Sequence, residues 1–301
     1  MTFFVTNHHL SQTTENILEK TWQKFPSLKK NNIALTVVME NKEKSPLQGF
    51  SYRGNEKIYP ASIVKLFYLV AVEEWLNQGK IQPSSEFERA VRDMIVESSN
   101  DATSLVMDTL TQTTSGYELP ELEFLQWQKQ RNMINDYFQS YNWEEFASIN
   151  VNQKTWCDGA YGRERIFLGE NYENRNMLTT NAVARLLYSI MNNLVVTEKA
   201  CEKMRNLLKR DASKKKIGIN DEENQINGFI GESVPNNAQI WSKAGWTSQV
   251  RHDCAYITLP NSTSYLLVIF AEGKATRQRN LIPFISHQFI MEIQKIGALS
   301  V

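Results

Sequence analysis

The chain has 301 residues, 42% of them hydrophobic, enough to bury a substantial core as one large domain or two interleaved lobes. Its 33 Lys and Arg balance 33 Asp and Glu, so no net field draws it to nucleic acid or to an anionic membrane. No apolar stretch approaches a membrane span, and Met1 to Lys20 lack the basic start, apolar middle and small-residue cleavage site of an export signal, so the expected location is the cytoplasm.

Residues 11 to 25 read as an amphipathic helix opened by Ser11 or Thr13, with Ile17, Leu18, Trp22 and Phe25 on one side. Ile33 to Met39 is a β-branched, apolar strand, and a polar turn through Asn41 to Ser45 leads to Gly49 to Arg53 as its hairpin partner. Pro60-Ala61-Ser62-Ile63-Val64-Lys65 then opens a run to Trp75 whose apolar residues cover nearly every face of a helix, which predicts burial on all sides. Lysine is almost never fully buried without a partner. One turn after Ser62, a desolvated Lys65 amine sheds its proton more readily and can activate the hydroxyl. Taken alone the tetrad reads more plainly as a capping serine and a snorkelling lysine.

Met94 to Ala102 sets Ser98 and Asn100 two residues apart in a turn between helical segments, able to face one cleft. Gln112 to Glu145, rich in aromatic and polar residues, reads as extra helix packed on its neighbours rather than as a binding platform. The cluster Lys214-Lys215-Lys216 has no interleaved aromatics or phosphate-cradling glycines and reads as a solvated loop. Ile240 to Trp246 is a strand in which Gly245 permits close approach of a ligand or another backbone. Ala255 to Leu259 and Tyr265 to Ala271, joined through Pro260-Asn261-Ser262, form a second hairpin, and Leu281 to Ile296 make a closing helix.

Strands at both ends enclosing a helical middle give an α+β fold: an antiparallel sheet flanked by N- and C-terminal helices, with an inserted all-helical subdomain. The expected organisation is a single domain over 1–301, with an α/β lobe at 1–60 plus 213–301, a helical lobe at 61–212 and a ligand cleft between them. Cys157, Cys201 and Cys254 are far apart and read as reduced thiols. His8 and His9 diverge, and His252 with Cys254 finds no third ligand nearby, so no metal is expected.

Ser62-x-x-Lys65, Ser98-x-Asn100 and Lys243-Ala244-Gly245 occur in the order of the S-x-x-K, S-D-N and K-T-G motifs. From residue 33 to residue 296 the chain resembles the penicillin-recognising serine hydrolases, most closely their class A β-lactamase-like branch. The resemblance implies that Ser62 is the nucleophile, Lys65 its base and Ser98 the relay returning a proton to the leaving group. It implies that Asn100 binds the substrate's amide side chain, that Lys243 tunes Ser98 and Lys65 and attracts a substrate carboxylate, and that the backbone N–H groups of Ser62 and Trp246 form an oxyanion hole beside Gly245. No cofactor is implied. The partner is a small molecule or peptide with an amide or ester carbonyl, without nucleic acid or membrane.

The chain departs from the family pattern in three places. The acidic residue that positions the deacylating water falls to Glu164, or else Glu170; an exposed glutamate flanked by arginines is the plainer reading of Glu164. Asn176 stands where an aspartate usually pins the loop. Ala244 removes a carboxylate-binding hydroxyl that Thr247, Ser248 or Arg251 would have to replace. The implied activity is therefore a serine hydrolase acting through acyl-Ser62, with β-lactam turnover one possibility. The alternatives are a penicillin-binding or peptidase/transferase-type protein that deacylates slowly, or a non-catalytic relative.

Overall fold

A computed structural model describes residues 2–40, 46–214 and 225–298. The turn expected over 41–45 and Lys215 and Lys216 of the lysine cluster lie outside the described residues. The chain opens with β1 (Val5–Thr6) and α1 (His8–Lys24), followed by β2 (Ile33–Met39) and β3 (Gln48–Tyr52). The start of α1 is earlier than its apolar spacing predicts, because Asn7 caps it by accepting from the Leu10 N–H at 2.9 Å. A helical middle follows: α2 (Lys65–Asn77), α3 (Ser85–Val96), α4 (Asn100–Thr111), α5 (Glu121–Ser140), α6 (Gly162–Leu168), α7 (Thr180–Met191) and α8 (Glu198–Leu208). The chain returns to the sheet through β4 (Lys209–Arg210), β5 (Gln239–Trp246), β6 (Val250–Thr258) and β7 (Ser264–Glu272), and closes with α9 (Leu281–Ala298).

The described strands form one sheet in the order β1-β3-β2-β7-β6-β5-β4. It is antiparallel as expected, except that the two-residue β1 pairs parallel with β3 at one edge. Two cores use the two faces. Ile33, Leu35 and Val37 of β2, with Leu267 and Ile269 of β7, pack with α1 and α9, whereas Ala34, Val38, Leu266 and Val268 point at the helical middle. Cover on both faces explains why these strands are continuous apolar runs rather than alternating ones.

α2 runs through the second core, and every residue from Lys65 to Val72 is buried. The all-round apolar pattern of this segment therefore does report a central helix. The aromatic stretch becomes α5 and the turn after it, where Phe67 of α2 meets Phe138 and Phe146 edge-on with centroids 4.9 and 5.8 Å apart. From Trp127 onward it is packing, as the sequence suggests, whereas Tyr117, Leu122 and Leu125 of the same stretch are exposed.

Candidate active site

The segment Ala61–Val64 is a 3-10 turn that precedes α2 instead of continuing it, and Ala61 sits at φ +46°. A non-glycine residue in the left-handed region costs on the order of 1–3 kcal/mol and persists only where its surroundings enforce it. Two contacts enforce it here. His252 on β6 reaches Tyr59 O through Nε2 at 2.9 Å while its Nδ1 accepts from Ala271 N at 3.1 Å, which fixes Nε2 as the protonated nitrogen. Burial lowers the pKa of His252 to about 4, so the ring stays neutral. From the other side, β5 passes so close that a Cβ on Gly245 would lie 2.8 Å from Ser62 N and 2.9 Å from Ile63 N. The close approach read from this glycine is therefore to another backbone, that of the Ser62 turn.

Lys65 opens α2 with no solvent exposure. Its Nζ donates to Asn100 Oδ1 at 2.9 Å, to Ser98 O at 2.5 Å and to Ser99 O at 3.3 Å, with Ser98 Oγ at 3.5 Å. Ser62 Oγ is not among its hydrogen-bond partners. Burial lowers the pKa of this amine from 10.5 to about 7, against an opposing pull from Cys157, so both protonation states are accessible near neutrality.

Ser98 lies between α3 and α4 at φ +57°, a second left-handed non-glycine residue, and Ser99 caps α4 by accepting from Ala102 N at 3.1 Å. That kink turns Ser98 and Asn100 toward the same amine. Lys243 on β5 approaches from the opposite side, with Nζ donating to Ser98 Oγ at 2.8 Å. It is fully buried, and its pKa is pushed well below the ordinary lysine value by burial and then by the charges of Lys65 and Arg210. Thr155 Oγ1 donates to Asn100 Oδ1 at 2.8 Å and Asn100 Nδ2 donates to Cys157 Sγ at 3.3 Å. A cavity of about 330 Å³ is lined by Ser62, Glu97, Ser98, Ser99, Asn100, Asp101, Cys157 and Trp246.

Ser62, Lys65, Ser98, Asn100, Lys243, Gly245 and Trp246 thus converge. Thr247 does not join them; it lies exposed past the end of β5, its hydroxyl accepting from Gln249 N at 3.1 Å, and it lines a second cavity that shares Cys157 with the first. Arg251 is likewise occupied, donating to Gly228 O at 3.1 Å and lying over the Phe229 ring.

Glu164 is also placed elsewhere. It is buried on α6, paired with Arg131 of α5, accepts from Ser115 Oγ at 2.8 Å, lies 3.7 Å from Lys154 Nζ, and does not line the Ser62 cavity. Its two flanking arginines do not make it exposed, because α6 turns its carboxylate inward toward a cation on another helix. Glu170 is exposed, and its carbonyl accepts from Arg165. Asn176, where an aspartate was the family expectation, pins its segment with neutral hydrogen bonds, accepting from Gln153 N at 2.9 Å and donating to Gln153 O at 2.8 Å. The ionic anchor has moved to Arg131, Glu164, Lys154 and Asp108.

Sequence reasoning missed Cys157 as a cleft residue, His252 as a clamp and Gln225 as a partner of Lys243. Only His252 left a trace in the sequence, as a buried-strand histidine with no metal partners. Among the described residues no group of His, Cys, Asp and Glu is arranged to hold a metal ion, all three cysteines are free, and no helix is long and apolar enough to cross a membrane.

A family profile described as "Beta-lactamase enzyme family" matches residues 86–292. No curated protein matches the sequence. Among solved structures, a PBP-A mutant captured as an acyl-enzyme complex with penicillin G aligns at TM-score 0.66 over 98% of this chain and 100% of its own, with 14% identity. A β-lactamase from Sphaerobacter thermophilus aligns at 0.65 over 93% and 97% with 17% identity, and the TLA-3 extended-spectrum β-lactamase at 0.64 over 93% and 99% with 12% identity. These likenesses establish a shared fold, and with the profile match across most of its length the chain belongs to the beta-lactamase enzyme family.

Proposed function

We propose that the protein is a serine hydrolase that forms an acyl-Ser62 intermediate with an amide or ester substrate, a β-lactam being one candidate. The observation that carries this reading is that Lys65, bonded to Asn100 Oδ1 at 2.9 Å, and Lys243 approach the same Ser98 hydroxyl, at 3.5 and 2.8 Å, while Ser98 and Asn100 share a cavity with Ser62. In this reading a neutral Lys65 takes the Ser62 proton as the hydroxyl attacks the carbonyl, which requires Ser62 Oγ to turn toward an amine now engaged with Ser98 and Asn100. Ser98 then hands its hydroxyl proton to the leaving group as the Lys65 ammonium, 3.5 Å away, returns to Ser98 the proton taken from Ser62. The backbone N–H groups of Ser62 and Trp246 hold the oxyanion, a role supported by the close approach of β5 to the nucleophile turn.

The second step is the weaker one. Glu164, the residue suggested as the deacylation base, is committed to Arg131, and the wall of the cavity carries the Cys157 thiol. The carboxylates lining the cavity, Glu97 and Asp101, both flank the Ser98 segment. This favours slow deacylation, the behaviour of a penicillin-binding or transferase-type protein. Incubation with a chromogenic β-lactam, followed by intact-protein mass measurement, separates the outcomes. A persistent adduct on Ser62 supports acylation with slow release, and steady turnover supports full hydrolysis. Absence of both with β-lactams and with fluorophosphonates overturns the acyl-enzyme reading.

A further inference from the structure

Gln225 is 5% exposed, and its carboxamide stands at a junction of two motif-bearing segments. Its Oε1 accepts from Lys243 Nζ at 2.8 Å and from Ala244 N at 3.2 Å, while its Nε2 donates to Ile95 O at 3.1 Å and Val96 O at 2.8 Å. The first pair belongs to β5 and the second to the end of α3, two residues ahead of Ser98 in the case of Val96. The amide cannot be reversed, since that would turn its NH₂ against an amine and a backbone N–H and its oxygen against two carbonyls. No other side chain of this length supplies two donors and a doubly accepting oxygen. Glutamate lacks the donors, methionine lacks both, and asparagine is a methylene too short.

We infer that Gln225 is a positioning residue that ties the Lys243 strand to the Ser98 turn and fixes which valence of the Lys243 amine faces Ser98. The inference rests on the acyl-enzyme reading above. Lys243 Nζ also contacts Ala244 O at 2.8 Å, so with Gln225 Oε1 two acceptors occupy two of its hydrogens and leave the third position to Ser98 Oγ. As an ammonium, Lys243 gives that third hydrogen to Ser98 Oγ, which frees the hydroxyl hydrogen to point into the cleft at a leaving group. As a neutral amine it offers Ser98 a lone pair, and the hydroxyl hydrogen turns back toward the lysine. Without Gln225 the amine has no fixed orientation and Ser98 no fixed proton direction.

The groups facing Lys243 are Lys65 of α2, Arg210 of β4, and Asp253 and Cys254 of β6. Arg210 Nη2 itself lies 3.5 Å from Gln225 Oε1, so the neutral amide also separates two cationic groups. Changing it changes the charge balance in a direction set by the replacement.

The test compares wild type with Gln225→Glu and Gln225→Met, both near glutamine in volume, with folding checked by near-ultraviolet circular dichroism. Ser62 labelling by a fluorophosphonate is followed from pH 5 to 10, and the Lys243 titration by NMR of protein carrying 13Cε-lysine, with the resonance assigned by its loss in Lys243→Met. A carboxylate beside Lys243 holds the ammonium to higher pH, so Gln225→Glu moves the Lys243 midpoint and the alkaline limb of labelling upward, by about one pH unit or more. Gln225→Met removes an acceptor while burial persists, so it moves both downward and slows labelling about tenfold or more. A residue that only fills space would shift both variants in the same direction or neither, and either result overturns the inference. If the wild type is not labelled by the fluorophosphonate or by penicillin G, the acyl-enzyme reading fails, and the opposed lysine midpoints still decide the role of Gln225.

Discussion

Gly245 lies against the backbone nitrogen of Ser62 so closely that no side chain fits between β5 and the Ser62 turn. The atoms it would strike are backbone, at 2.8 Å for Ser62 N and 3.0 Å for Pro60 O, and cannot swing aside. Gly245→Ala is therefore expected to push the strand and the turn apart. Overpacking of this kind costs about 1–3 kcal/mol, while displacing one oxyanion donor costs about a hundredfold or more in rate. The expected result is a modest fall in Tm with a loss of fluorophosphonate labelling far larger than the fall accounts for. Labelling that declines only with the folded fraction would refute the proposed oxyanion geometry.

Lys65 sets the pH response. With its pKa lowered to about 7 by burial, labelling of Ser62 is expected to rise as pH passes through about 7, where the amine becomes neutral. Lys65→Arg, which keeps the charge at every accessible pH, should abolish it. Stability follows the same group. Between about 7 and 10.5 the unfolded chain holds more protons on this lysine than the folded chain, so its contribution to stability is least below pH 7 and improves as pH rises through that window. Wild-type Tm should therefore gain on that of Lys65→Met between pH 7 and 10. A parallel pair of Tm curves would mean that the amine is not desolvated.

Glu164 separates anchoring from catalysis. Breaking a buried ion pair by removing one partner costs about 3–5 kcal/mol, and the partners that would remain, Asp108 3.3 Å from Arg131 and Lys154 3.7 Å from Glu164, are the longer contacts. Glu164→Ala is expected to lower Tm strongly, and Arg131→Met to do the same, with the folded fraction of each acylating at close to the native rate. Acyl-adduct lifetime, followed by intact mass, should be unchanged. A selective lengthening of that lifetime in Glu164→Ala alone would instead make Glu164 the deacylation base.

The sequence carried most of the scaffold because its strongest signals are local and physical. The continuous apolar run of β2 coincides with a strand buried on both faces, and the Ser62-to-Trp75 pattern with a helix buried on every side. The motif spacing likewise placed Ser98, Asn100 and Lys243 around Lys65. What the sequence did not carry is pairing between distant polar groups. Nothing in the letters around Glu164 shows that its partner is Arg131 on another helix, and nothing around Gln225 shows that its amide meets Lys243 and Ile95 together. Short polar residues fit many environments, and only packing decides which. The Ser62 turn illustrates a subtler case, in which a 3-10 segment with a left-handed Ala61 replaces the regular helix that the i,i+3 spacing predicts.

Cys157 occupies a wall of the cleft, with Sγ 3.3 Å from Asn100 Nδ2 and close enough to Lys65 to pull on its proton. Its exposure makes it open to alkylation, and a carboxamidomethyl group there would fill part of the Ser62 cavity. Iodoacetamide is accordingly expected to block labelling of the native protein and to leave Cys157→Ala reactive, the two other thiols being buried. A carboxylate at the same position should act on both chemical steps in opposite senses. Cys157→Glu sets an anion near Lys65, which favours the ammonium and moves the rise of labelling to higher pH, slowing acylation near neutrality. It also supplies the cleft with a general base, a function typically contributing about a hundredfold or more, so the acyl adduct should break down faster. Slower formation with faster breakdown is the signature to seek, by stopped-flow labelling and by the mass of the adduct over time. An adduct that persists as long as in wild type would show that water cannot reach the ester from the Cys157 side.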